Sequence, residues 1–161
     1  MSAIARRHEE LEETIEEKFP DAVLDIEEHH NAPAIIANAS RVDEVVSVLK
    51  QNGYNHLSSI SAVEYENRFE SVYHLRRITD DPEDFDEINV VAMTDKDEPE
   101  VKTVSHVFKG ANWHEREAYD LMGIRYNDHP DMRRILLPET WKGHPLREDY
   151  DVDQPQYAAL S

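Results

Sequence analysis

The residues best equipped for chemistry in this 161-residue chain stand together at Trp113-His114-Glu115-Arg116-Glu117-Ala118-Tyr119-Asp120. The run opens His-Glu-x-x, as a zinc-protease helix does, but Ala118 occupies the position that would return the second histidine ligand. His114, Glu117 and Asp120 recur at three-residue intervals and are expected to share one helix face. An imidazole and two carboxylates placed so could hold a metal ion or relay a proton, which is the reading of a metal-dependent hydrolase. The competing reading is structural. Glu117 and Asp120 lie close in sequence to Arg116, Arg125, Arg133 and Arg134, and guanidinium forks match carboxylates bidentately. Ion pairs between these groups would fix the following segment to the helix. Nine histidines are scattered without ligand spacing, and His129 and His144 each precede a proline, which suits a structural or docking role. With four glycines there is no phosphate-cradling loop, and with no cysteine there is no Cys-ligated cluster or zinc and no thiol nucleophile.

The elements that position this run read as a single α+β domain, a mostly antiparallel sheet with helices on one face. Leu11, Ile15 and Phe19 recur at four-residue spacing and predict a helix over 5–19, which Pro20 stops. Short strands are expected at 23–28 and 34–39 around a His29-His30-Asn31 turn. Ser40 is expected to cap a helix over 41–52, with Asp43 at N3 and Gly53 past its end. Strands at 57–66 and 69–79 are close enough for a hairpin, and 87–93 alternates as a third strand. The acidic stretch 80–86 links the last two. Val104, Val107 and Phe108 suggest a short helix. Asn112 is placed to cap a helix over 113–122, with Glu115 at N3 and Gly123 as its stop.

The body is therefore expected to occupy 1–123, and the stretch 124–161 is of a different kind. It holds four X-Pro pairs, which favour extended backbone, and keeps no period, yet it carries Tyr126, Ile135, Leu136, Leu137, Trp141, Leu146 and Tyr150. Apolar residues without periodicity need an outside surface, so this segment reads as an extended arm for docking a partner. The net charge of −18 argues against nucleic acid and against direct attraction to anionic lipid. The charge is uneven: 80–100 has ten acids and one base, whereas 101–147 has six acids and eight bases. The start of the chain has no apolar stretch of the signal-peptide kind, and no run reaches the roughly 18 apolar residues of a membrane span. A free-standing acidic protein-binding module is a further reading of the charge.

From Trp113 the sequence resembles a known family. Trp113-His-Glu-Arg-Glu-Ala-Tyr-Asp-Leu-Met-Gly123-Ile-Arg-Tyr-Asn-Asp-His129-Pro130-Asp131-Met-Arg133-Arg134-Ile135-Leu136, then Gly143-His144-Pro145-Leu146-Arg147, is similar to the signature of the C subunit of respiratory complex I. The one departure is Asp128, where many members have glycine. The resemblance implies a non-catalytic structural subunit of the hydrophilic arm of a redox-driven proton pump of the NADH:quinone oxidoreductase or F420H2 dehydrogenase type. It implies no cofactor on this chain; iron–sulfur clusters, a flavin or other donor site, and quinone would belong to partners. The implied partners are the hydrogenase-like D subunit foremost, then the cluster-binding B and I subunits. The implied location is the cytoplasmic face of an energy-transducing membrane, reached through partner subunits only. The signature residues, Trp113, His114, Glu115, Arg116, Glu117, Asp120 and Gly123 among them, are implied to serve interface and fold.

Overall fold

The computed structural model describes residues 3–29 and 32–153. Helix α1 covers Ala3–Lys18, and α2 covers Val42–Gln51. Their apolar stripes, Leu11 and Ile15 on α1 and Val42, Val45, Val46 and Leu49 on α2, face one core. Strands β1 (Val23–His29) and β2 (Ala32–Asn38) form the first antiparallel pair. The predicted turn residues His30 and Asn31, and the Gln154-Pro155 pair, lie outside the described residues. After α2 come β3 (His56–Glu64), β4 (Arg68–Arg77) and β5 (Asp86–Asp95), a meander with the expected hairpin between its first two strands.

The five-stranded sheet runs β1-β2-β5-β4-β3. Its one parallel pair is β2 with β5, from Ala34 opposite Asn89 to Asn38 opposite Met93. The α2 crossover carries the chain from β2 to the far edge, where β3 runs in the direction of β2, and two antiparallel turns then bring β5 beside β2 in that same direction. Alternation then divides the side chains. Ile35, Tyr73, Leu75, Val90 and Ala92 join the helices in the main core, while Ala34, Ile36, Val72 and Val91 form a smaller cluster on the opposite face. All three helices contribute to the first cluster, so the sequence-based fold class holds.

A short strand β6 (Glu100–Lys102) precedes helix α3 (Ala111–Met122), and β7 (Arg125–Asn127) follows it and pairs with β6 in parallel. Ile124 and Tyr126 are core residues, and the Tyr126 hydroxyl lies 2.8 Å from that of Ser71. The irregular stretch therefore starts at Asp128.

Three local expectations are corrected. Ser40 does not cap α2: its hydroxyl donates to the Asn38 side chain at 2.9 Å, and the cap position falls on Arg41 without a side-chain bond. Val104, Val107 and Phe108 form no helix; Val107 and Phe108 each donate to the Val104 carbonyl in a tight turn. Asn112 is not the cap of α3, because the helix starts at Ala111 and its cap position is Gly110. Glu115 is thereby freed from capping and turns into the core.

Candidate functional site

Helix α3 is the platform for the signature residues. Six of its twelve residues are buried, three of them charged: Glu115, Arg116 and Asp120. The three-residue spacing does not keep His114, Glu117 and Asp120 on one face. Each three-residue step falls about 60° short of a full turn, so Asp120 sits roughly 120° from His114. His114 and Glu117 line a groove against β3, while Asp120 is fully buried and faces the segment after β7. Among the described residues no group of three or more His, Cys, Asp or Glu side chains is placed to hold a metal ion. The constellation expected of a hydrolase is not assembled.

Asp120 instead gathers the polypeptide around itself. One carboxylate oxygen accepts the backbone N–H groups of Ile135, Leu136 and Leu137 at 3.1, 2.8 and 2.9 Å. The other accepts from Arg134 at 2.7 Å. Burial would raise this carboxyl's pKa, but the N–H groups and the guanidinium outweigh it and hold the group below the usual aspartate range. Arg134 also donates to the carbonyls of Asp120 and Gly143, and the His144 ring Nδ1 donates to the Asp120 carbonyl at 2.9 Å. The Leu146 N–H closes the loop on the Leu121 carbonyl at 3.0 Å. Gly123 makes this approach possible. It is left-handed, with φ +77°, and a Cβ there would stand 2.7 Å from the His144 ring.

Glu115 holds the other side of the helix. It accepts from the Thr103 hydroxyl at 2.5 Å and the Val104 N–H at 2.7 Å. Burial pushes its pKa up to about 7, more than those two bonds pull it back. The His129 ring is 3.8 Å away and fully buried. Its partners define its state: Nε2 donates to the Asn112 carbonyl, and Nδ1 accepts from the Asp131 N–H. A ring that donates through one nitrogen and accepts through the other is neutral, and burial lowers its pKa in agreement. His129 thus anchors its X-Pro pair with Pro130 to the start of α3, as His144 anchors Pro145 to its end.

The expected ion pairs are realised only in part. Arg134 pairs with Asp120. Among the described residues Arg116 pairs with no carboxylate; it donates to the Arg133 and Arg134 carbonyls at 3.1 and 3.0 Å and lies 5.4 Å from the centre of the Trp113 ring. Arg133 pairs with Asp131 across two bonds at the surface, with its side chain 60% exposed. Glu117 accepts no hydrogen bond or ion pair within the described residues. Three large apolar side chains of the signature, Trp113, Leu136 and Leu146, are each 61% exposed.

One anchor point gave no signal in the sequence. Glu64, at the end of β3, accepts from Lys96 at 2.6 Å and from the Glu148 N–H at 2.8 Å. Arg147 stacks 5.0 Å above the Phe69 ring beside it. A backbone donor 84 residues away has no sequence signature. A polar cavity of about 740 Å³ opens at the C-terminal ends of β2 and β5, bordered by Asn38, Thr94 and Asp128. Of the signature stretch it holds Asn127 and Asp128, and its Lys102 is paired with Asp128.

Residues 35–156 match the family described as the respiratory-chain NADH dehydrogenase 30 kDa subunit. The chain is 39% identical over 146 residues to the C subunit of NADH-quinone oxidoreductase from Geobacter metallireducens, covering 88% of each. Among solved structures it is similar to the trypsin-resistant fragment of Nqo5, with a TM-score of 0.63 and 27% identity, covering 78% of this chain and 98% of that one. A chain of the membrane-bound sulfane sulfur reductase, an archaeal respiratory membrane complex, shares the fold at a TM-score of 0.62 and 20% identity, covering 94% of this chain and 81% of that one.

Proposed function

Since the chain belongs to the respiratory-chain NADH dehydrogenase 30 kDa subunit family, and so is a subunit of a respiratory complex, we propose that it serves that complex by architecture and not by catalysis. In this reading it docks on the hydrogenase-like D subunit beside the quinone site. The cluster-binding B and I subunits are its further neighbours. The donor site, the clusters and quinone belong to those partners, and this chain supports electron transfer by holding them in place. The absence of cysteine from the sequence supports putting the clusters elsewhere. The donor would be NADH, F420H2 or ferredoxin, chosen by other subunits. The chain would reach the cytoplasmic face of the membrane only through its partners; no helix of the described residues is long and apolar enough to cross one.

One observation carries this reading. The signature spends Arg116, Asp120 and Arg134 on holding residues 133–143 against α3, and what it leaves outward is Trp113, Leu136 and Leu146. Exposed large apolar groups on a rigidly anchored frame suit a permanent interface. The experiment is a mild-detergent affinity isolation of the tagged chain from its native membranes, followed by mass spectrometry. A hydrogenase-like large subunit should be recovered stoichiometrically, and Leu136→Asp with Leu146→Asp should cut that recovery at least tenfold. Recovery of the chain alone from the wild type would overturn the proposal.

A further inference from the structure

We propose that the outer edge of β3, with the groove between it and α3, receives an extended segment of another subunit, which adds a sixth strand and carries a basic side chain opposite Glu117. The inference rests on the reading of the chain as an assembled subunit and names a second place where a partner enters.

The two edges of the sheet are treated differently by the sequence. Strand β1 closes one end, and it carries the exposed carboxylates Asp25 and Glu27. Charges on an edge strand discourage another strand from adding. Strand β3 closes the other end, and from Leu57 to Val63 it reads Leu-Ser-Ser-Ile-Ser-Ala-Val, with no charge and no proline. Its one irregularity is a register shift between Leu57 and Ser59. Its ladder to β4 is the backbone pairing it makes among the described residues. The row of N–H and C=O groups on its outer side is therefore an open template over about seven residues.

The groove beside that edge has a volume of about 410 Å³. Residues 59–62 of β3 form one wall, His114, Glu117 and Leu121 of α3 the other, and Leu146 closes it. Leu121, Leu146 and Ile60 make an apolar patch, and Glu117 adds a carboxylate that nothing in the described chain neutralises. Strand addition takes its affinity from main-chain bonds and its specificity from such side-chain pockets. Charge selects the occupant. A second copy would bring another net −18 surface against the first, whereas a segment with an arginine or lysine next to an apolar residue satisfies both features of the groove. Leu146 also belongs to the exposed apolar set of the docking frame, so the two surfaces are continuous.

Hydrogen exchange measured on the free full-length chain and on the isolated native complex tests this. Amides in 57–63 should exchange at least tenfold more slowly in the complex. Glu117→Arg, at an exposed position, should lower recovery of partner subunits at least tenfold while the melting temperature of the free chain stays unchanged. If 128–147 gains protection in the complex while 57–63 does not, the subunit reading stands and this inference is wrong. A dimeric free chain with protected 57–63 overturns it in favour of self-pairing. If the chain enters no complex, both readings fall.

Discussion

Asp120 is the single residue on which most of the signature converges. It is fully buried, bears four charge-assisted bonds, and removing it leaves Arg134 and three N–H groups without their acceptor. Asp120→Ala should cost about 3 kcal/mol in denaturant unfolding and open the chain to trypsin at Arg133 and Arg134. Because its folded pKa is depressed, the stability it contributes is present above the free aspartate value of about 3.9 and lost as pH falls through the folded value. Glu115 works in the opposite sense. Its pKa is raised from 4.5 to about 7, so the stability this group contributes is fully present below about 4.5 and is lost as pH rises toward 7, by roughly 3 kcal/mol at most. Glu115→Gln should flatten that part of the stability–pH curve, and an unchanged curve would contradict it. Asp128 adopts φ +63°, the left-handed region that glycine enters freely and that aspartate tolerates better than most residues. That is the physical sense of the glycine that the resemblance leads one to expect there. Asp128→Ala should be less stable than Asp128→Gly by about 1 kcal/mol, measured by thermal melts of the two variants. Part of this level was legible: the sequence offered Arg116, Arg125, Arg133 and Arg134 as partners for Glu117 and Asp120, and Arg134–Asp120 is among the pairs formed. The three N–H donors to the same carboxylate could not be read, because every residue but proline has one.

At the level of elements, hydrophobic period found α1, α2 and the meander β3–β5, since each buries one face and the burial writes itself into the sequence; α3, half of whose buried residues are charged, was read from its expected cap and its Gly123 stop. Caps were less legible. Ser40 and Asn112 are good capping residues by type, but Asn38 took the Ser40 hydroxyl, and α3 starts one residue earlier than Asn112. The pairing of β2 with β5 depends on a contact across more than fifty residues, for which alternation carries no information. The same holds for what fastens α1. Asp86, at the start of β5, accepts from Arg7 at 3.0 Å, from His8 at 3.2 Å and from the Tyr54 hydroxyl at 2.6 Å. Burial and this carboxylate push the Tyr54 phenol above its ordinary range. Asp86→Ala should therefore lower stability by about 3 kcal/mol and expose α1 to proteolysis ahead of the sheet. If α1 stays as protected as in the wild type, its attachment is purely apolar, through Leu11 and Ile15.

For the whole molecule, the proposed division of labour is between a sheet-and-helix body with its own apolar core and a frame built on α3 that leaves Trp113, Leu136 and Leu146 exposed. The family was legible from some forty residues because the signature is a set of linked constraints: Gly123 is required by His144, His144 by the Asp120 carbonyl, Asp120 by residues 134–137. What the proposed frame would touch was not legible in the chain alone, since the other half of each such contact would lie on another polypeptide. Lys142 is the one lysine after Lys109, and it lies on that frame. The most direct measurement is amine cross-linking of the intact, detergent-isolated complex with mass-spectrometric identification of the polypeptide joined to Lys142. If the frame is the docking surface, Lys142 is joined to the hydrogenase-like large subunit. Cross-links from Lys142 confined to this chain's own body, with none to that large subunit, would contradict it.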